Sequence, residues 1–245
     1  MQRVSVALGF VAVVVGSGGG CTADSGDEAI LVLKNVHAGE GCLATNAASE
    51  TGIAHGALDL VFHSGYVFVA QLKSRITALA GQEDQRTIFT SGANVDIKFP
   101  GSTFFSDTEL TELQNANLTH FKQPFTVPIA PGGISDVPFD LIPESLAERI
   151  AVKAGTASNF RLEALATFTV VGDMSGGDVS SQPFTFAVTL GNSIVVFNRG
   201  ACSALPTSFV ARPGYACNLS QDDALDCCEN GTMFTCPAVK PTSAR

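Results

Sequence analysis

The sequence predicts an all-β, mainly antiparallel fold: a β-sandwich that contains two short helices and ends in a disulfide-rich C-terminal tail. Apolar residues alternate with polar residues along many segments, as they do in strands with one buried face. Clusters of Gly, Pro, Asn and Asp separate these segments. Charged residues form only 15% of the 245 residues, below the usual quarter, and strands and helices do not alternate regularly.

The clearest strands lie between residues 160 and 190. The segment 160–171 places apolar residues at every second position, and 183–190 does the same with Phe184, Phe186 and Leu190. The intervening GDMSGGDVSSQ has turn composition, so the region predicts a long antiparallel hairpin. This arrangement resembles the ends of Ig-like and fibronectin-like domains, which implies a sandwich of that architecture. The predicted strands are 29–36, 57–62, 66–72, 94–99, 124–129, 136–142, 160–171, 183–190 and 193–197.

Two short helices interrupt the strands. Ser106 and Glu109 form a capping-box pattern that predicts a helix over 107–116. Pro143 occupies the first position of a second helix over 143–154, in which apolar residues recur every four positions.

The first 20 residues have the composition of an export signal. Arg3 precedes a largely apolar run, Val4–Val15, and small residues follow up to position 20. Twelve residues span about 18 Å as a helix, which is shorter than a hydrocarbon core of about 30 Å. The segment 1–20 is therefore predicted to direct export and to be removed.

The small residues that lead into Cys21 resemble the lipobox of bacterial lipoproteins. Gly20 and Cys21 match that motif and Gly19 is small, whereas Gly18 stands where an aliphatic residue is usual. The resemblance implies that the Cys21 thiol receives a diacylglyceryl group and that further acylation, such as with palmitate, follows. The alternative is ordinary signal-peptidase cleavage, for instance after Gly19 or Ala23, and a secreted or periplasmic protein.

The residues after Cys21 favour a tether. TADSGDE is polar and acidic, the composition of a short flexible spacer. Thr22 at the position after the cysteine, rather than Asp, implies by the same resemblance transfer to the outer membrane of a Gram-negative cell. The membrane is then a partner through the N-terminal acyl chains.

Seven cysteines are an odd number for an exported protein. Acylation of Cys21 leaves an even six, which three disulfides in an oxidising compartment would use. Neighbouring Cys227 and Cys228 are not expected to pair with each other, and Cys42 must reach forward to the tail. Fifteen pairings of six cysteines exist before these restrictions, and the sequence does not choose among them. The disulfide candidates are Cys42, Cys202, Cys217, Cys227, Cys228 and Cys236.

Residues that carry chemistry are few. His55, Asp59 and His63 lie four apart, but glycines and strand-like alternation argue against a helix that would gather them around a metal ion. The acidic segment 220–230 lacks calcium-loop spacing, so Asp222 and Asp226 are expected to lie along one turn in solvent. We therefore assign no catalytic residue, no metal site and no cofactor.

The function expected from these features is that of a non-enzymatic, lipid-anchored cell-envelope protein, acting as a structural or binding module. An envelope protein or polysaccharide is the expected partner, and the net charge of −9 argues against nucleic acid. One alternative is a soluble secreted adhesin or inhibitor that uses the cysteine-rich tail. Another is an exported hydrolase whose site assembles only in the fold. The predicted divisions are 1–20, signal peptide; 21–28, acylated N-terminus and tether; 29–200, sandwich; 201–245, cysteine-rich segment.

Overall fold

A computed structural model of the chain describes residues 29–44, 46–78, 80–81, 86–231 and 233–236. The predicted export signal, Cys21 and the acidic tether lie outside the described residues.

One sheet of the sandwich contains four antiparallel strands in the order β2-β1-β4-β8. Its apolar residues alternate toward the core, and Pro138 lies in the edge strand β8, where a missing amide costs no ladder bond. The bounds of its strands are β1 Ile30–Val36, β2 Gly52–Ile53, β4 Tyr66–Ser74 and β8 Ile134–Ile142.

The second sheet contains seven strands, with the order β3-β11-β9-β5-β6, and with β10 paired to β9 and β7 to β5. The predicted hairpin over 160–190 is confirmed, because β9 pairs antiparallel with both β10 and β11. The edge strand β3 runs parallel to β11, while the other pairs are antiparallel. The bounds are β3 Gly56–Asp59, β5 Ile88–Lys98, β6 His120–Gln123, β7 Pro128–Ile129, β9 Arg161–Met174, β10 Gly177–Ser180 and β11 Phe184–Gly191.

The core lies between these two sheets and is rich in phenylalanine. The Phe68 ring of the first sheet lies 5.1 Å from Phe168 and 5.0 Å from Phe186 of the second sheet, measured between ring centroids. Phe68 also contacts Phe139 on its own sheet at 5.6 Å. All four side chains are buried. The predicted antiparallel β-sandwich with two helices is confirmed.

Both helices lie where the predictions placed them. The first, α1, spans Asp107–Asn115, and its capping box is complete, with Ser106 accepting from the Glu109 amide and Glu109 from the Ser106 amide. The second, α2, spans Glu144–Ala154, one residue later than predicted, because Pro143 is its extended N-cap residue. In the described part of the chain, no helix is both long and apolar enough to cross a membrane.

The C-terminal segment forms a small third sheet in the order β12-β13-β14, with β12 and β13 parallel. Three disulfides join the six predicted cysteines: Cys42–Cys217, Cys202–Cys228 and Cys227–Cys236. As expected, Cys227 and Cys228 bond to other residues and Cys42 reaches the tail. Three disulfides indicate an oxidising, exported environment. The strands are β12 Val196–Ala201, β13 Leu225–Asn230 and β14 Met233–Thr235.

Three strand predictions are wrong in part. Of the strand expected over 124–129, only Pro128–Ile129 forms a strand, because Pro124 and Pro128 have no amide to donate to a ladder. The strand expected over 193–197 begins only at Val196, because the amides of residues 194 and 195 bind the Asp59 carboxylate instead of a neighbouring strand.

The strand expected over 57–62 ends at Asp59, and residues 60–62 form a 3-10 turn. The turn forms because the Asp59 carboxylate accepts a hydrogen bond from the Val61 amide, and His63 closes it in the left-handed conformation at φ 53°.

The prediction that Asp222 and Asp226 lie along a turn in solvent is also wrong. Asp226 is 3% exposed and Asp222 is half-buried, and each carboxylate accepts several hydrogen bonds. Charged groups are buried where partners satisfy them, and here the partners come from distant segments of the chain.

Candidate functional site

The histidines occupy separate environments and do not converge on one another. Across the described residues, no group of three or more His, Cys, Asp or Glu side chains is arranged to hold a metal ion. The contacts of three of them are His37 Nε2 to Asp223 Oδ2 at 2.7 Å, His55 Nε2 to Thr189 Oγ1 at 2.8 Å, and His120 Nδ1 to Asp96 Oδ2 at 3.6 Å.

Asp59, which lies between His55 and His63 in sequence, is a buried structural anchor. Its Oδ2 accepts hydrogen bonds from the amides of residues 194, 195 and 196 at 2.8, 3.3 and 3.1 Å, while Oδ1 accepts from Val61. Four backbone amides bind the carboxylate, so it ties the turn after β11 to the edge strand β3. Its role here is structural.

His63 lines a surface pocket of about 300 Å³ together with Asp59, Ser158 and Ser193. A histidine beside an acid and a serine in one pocket is what the hydrolase alternative would require. Among the described residues, the His63 ring forms no hydrogen bond with Asp59 or with either serine. A serine hydrolase needs a serine–histidine pair oriented by a third group, and this pocket does not supply that arrangement.

A groove of about 430 Å³ lies between α1 and α2 and is called the helix groove here. Tyr66 and Ser74 are the two ends of strand β4. The helix α2 follows Ile142 of β8, which pairs with Tyr66, whereas β1 begins at Ile30, which pairs with Ser74. The helix groove therefore lies at the end of the sandwich opposite the start of β1. Its lining is Phe105, Glu109, Glu112, Leu113, Glu148, Arg149, Val152 and Lys153.

Lys153 bridges the two sides of the helix groove. Its ammonium group forms an ion pair with Glu109 and lies 5.3 Å from the ring centroids of both Phe104 and Phe105. The hydrogen bond from Lys153, followed by those from Ser106, lowers the pKa of Glu109 to about 2. The two helices are thus joined across the groove by charge, and Val152 at its rim is 73% exposed.

The same end of the molecule holds a partly buried polar network that fastens the C-terminal segment to the sandwich. The side-chain amide of Asn35 donates a hydrogen bond to Tyr66 Oη at 3.0 Å, and the Tyr66 hydroxyl donates one to Asp222 Oδ2 at 2.8 Å. Asp222 Oδ1 accepts from the Ala57 amide at 2.9 Å. The Gln221 side chain pairs with the backbone N–H and C=O of Val67, as a neighbouring strand would.

Burial governs the acid–base behaviour of this network. It raises the pKa of Asp222 to about 6, against the hydrogen bonds from Ala57, Tyr66 and Gln221 that favour the ionised form. Burial and the nearby Asp222 charge raise the pKa of the Tyr66 hydroxyl far above its usual value. Tyr66 is therefore a neutral hydrogen-bond donor at any physiological pH.

Sequence reasoning missed this network. The bond between Asn35 and Tyr66 spans 31 residues and that between Tyr66 and Asp222 spans 156 residues. The one local signal was the presence of one of only two tyrosines at the start of a strongly apolar strand. A buried tyrosine hydroxyl requires a polar partner.

No family model, no curated protein and no solved structure matches the chain. The geometry of the described residues is consequently the basis for any functional assignment.

Proposed function

We propose that the protein is a non-enzymatic, lipid-anchored cell-envelope module, attached through acylated Cys21 and binding partners with its helix-bearing end. The observation that carries this proposal is the placement of the first strand: β1 begins at the end of the sandwich opposite the helix groove. A chain tethered at its N-terminus would present the helix groove away from the membrane.

The dimensions of the fold agree with this orientation. Strand β4 has nine residues between the two ends, which corresponds to about 27 Å. Ile30 follows Cys21 by nine residues, so an extended spacer would reach about 30 Å. The sandwich would then stand close to the membrane surface with its helices directed outward.

The cysteine pairing also supports acylation. The three disulfides use the six cysteines other than Cys21. Disulfide bonding indicates export, and the pairing leaves Cys21 as the one cysteine available for acylation. Attachment of several acyl chains would give a stable anchor.

Fractionation of a Gram-negative host that expresses the full chain tests the proposal. We expect the wild-type protein in the outer-membrane fraction and the Cys21→Ser variant in the soluble fraction. Thr22→Asp is the matched control, because it keeps the acylated cysteine but places Asp after it; we expect this variant in the inner membrane. A wild-type protein that is soluble and indistinguishable from Cys21→Ser would instead establish the secreted alternative.

A further inference from the structure

Two arginines share one carboxylate in the small C-terminal sheet. Arg199 Nε donates to Asp226 Oδ1 at 2.7 Å, and Arg212 donates from Nε to Oδ2 at 2.9 Å and from Nη2 to Oδ1 at 2.6 Å. The backbone amide of Arg212 adds a fourth bond, to Oδ2 at 3.0 Å. Asp226 is thus saturated, and its side chain is 3% exposed.

The charges of this cluster do not balance, since two guanidinium groups face a single carboxylate. Because both groups bind the same Oδ1 atom at 2.7 and 2.6 Å, the two bonded nitrogens lie at most about 5.3 Å apart. Glu229 does not balance this charge. Its carboxylate accepts a hydrogen bond from the side-chain amide of Asn198. Asn198 pairs with Cys227, the neighbour of Asp226, so its side chain points to the opposite face of the sheet from Asp226. A local charge of +1 remains in a chain whose net charge is −9.

Three guanidinium nitrogens, Nη1 and Nη2 of Arg199 and Nη1 of Arg212, have no hydrogen-bond acceptor among the residues that the structure describes. The two side chains are 38% and 43% exposed, so both arginines lie partly at the surface. The ring of Phe197 supports both groups, with centroid distances of 5.6 Å to Arg199 and 4.6 Å to Arg212. The arginines are therefore held in place while part of their bonding capacity is unused.

Only one of the two arginines is needed to neutralise Asp226. Arg212 forms the two-point pair with the carboxylate and fixes its own segment to β13. Arg199 contributes one further bond and a surplus charge. Arg199 is thus the residue whose presence the packing of the segment does not explain.

We propose that Arg199 and Arg212 form a binding site for a phosphate group carried by a ligand or partner. Guanidinium groups match phosphate oxygens with paired N–H donors, and three unused nitrogens correspond to the three peripheral oxygens of a phosphate monoester. Phe197 forms the apolar side of the site. The source of the phosphate is either a soluble phosphorylated molecule or a phospholipid headgroup. This site does not depend on the anchor at Cys21.

Titration of the full chain with inorganic phosphate, at constant ionic strength, tests the site through the Nε–H resonances of the arginines. We expect saturable shifts at Arg199 and Arg212. Arg199→Gln is expected to weaken phosphate binding at least tenfold while Arg212 keeps its pair with Asp226. Arg149→Gln is the matched control, since it removes the same charge from the helix groove, and we expect binding to be unchanged.

Equal effects of Arg199→Gln and Arg149→Gln, or shifts that do not saturate, would mean that phosphate responds only to overall charge and would overturn the proposal. Saturation by acetate with equal affinity would overturn the assignment to phosphate. Should Arg199→Gln fail to fold, Arg199→Lys keeps the charge and removes the fork, and we expect binding to weaken several-fold. Vesicles containing phosphatidic acid that compete with phosphate would identify a lipid headgroup; vesicles that do not compete would identify a soluble source.

Discussion

The disulfide between Cys42 and Cys217 closes the longest loop of the three disulfides in the described residues and gives the sharpest stability prediction. It joins residues 175 apart, whereas Cys202–Cys228 joins residues 26 apart. A cross-link stabilises mainly by restricting the unfolded chain, and the loop-entropy relation gives about 5 kcal/mol for the long loop and about 3.5 kcal/mol for the short one. The ratio of loop lengths therefore predicts a difference of about 1.7 kcal/mol.

The comparison uses two double variants, Cys42→Ala with Cys217→Ala and Cys202→Ala with Cys228→Ala, both with Cys21→Ser so that no acyl chain attaches. All four disulfide cysteines are half-buried, so the loss of packing is similar in the two variants. Guanidinium chloride unfolding without reductant gives the free energies. Losses that are equal, or that are larger for the short loop, would refute the argument from loop entropy.

Two further predictions concern the buried groups. The pKa of Asp222 is about 6 in the folded protein and 3.8 in the unfolded chain. Folding therefore favours the protonated carboxyl. The stabilisation that this provides is complete at a pH below 3.8 and is lost as the pH rises through 6. We expect urea unfolding to show that the wild type loses about 2.4 kcal/mol of its free energy of unfolding relative to Asp222→Asn between pH 4 and 7, and a difference that is constant with pH would contradict this. Phe68→Ala should lower the free energy of unfolding by about 3–5 kcal/mol, because the Phe68 ring lies between the sheets. Phe89 is 47% exposed, so Phe89→Ala should lower it by less than about 1 kcal/mol. Thermal or urea unfolding measures both, and similar losses would show that Phe68 is not central to the core.

The parts of the fold that local pattern controls could be predicted from the sequence. Alternating residues over 160–171 and 183–190 correspond to β9 and β11, and the Ser106–Glu109 pattern corresponds to the observed capping box. The strand β5 is longer than the predicted 94–99 and begins at Ile88. Its first half contains Thr, Ser and Gly, which give little apolar alternation, and its pairing with β7 and β9 supplies the order instead.

The polar interior could not be predicted in the same way. An aspartate in an acidic segment, such as Asp226, is usually exposed, and its burial depends on Arg199 and Arg212, which lie 27 and 14 residues away in sequence. The same holds for Asp59, whose carboxylate binds amides some 135 residues further along the chain. Long-range partners decide the position of these groups, and a single sequence does not reveal such pairs.

The C-terminal segment is fastened to the sandwich by several independent means. The Cys42–Cys217 bond, the Tyr66–Asp222 hydrogen bond and the side-chain pairing of Gln221 with Val67 all join it to strands of the sandwich or to the turn after β1. The paired arginines lie on this segment and the adjacent β12, so they are presented on a rigid support. A rigid support suits a binding site, because little conformational entropy is lost on binding.

The most direct test of the proposed function is the mass of the mature N-terminal peptide from envelope preparations of cells that express the full chain. Our account predicts that this peptide begins at Cys21 and carries the added mass of a diacylglyceryl group and a further acyl chain. A mature chain that begins at another residue, or a Cys21 of unmodified mass, would contradict it.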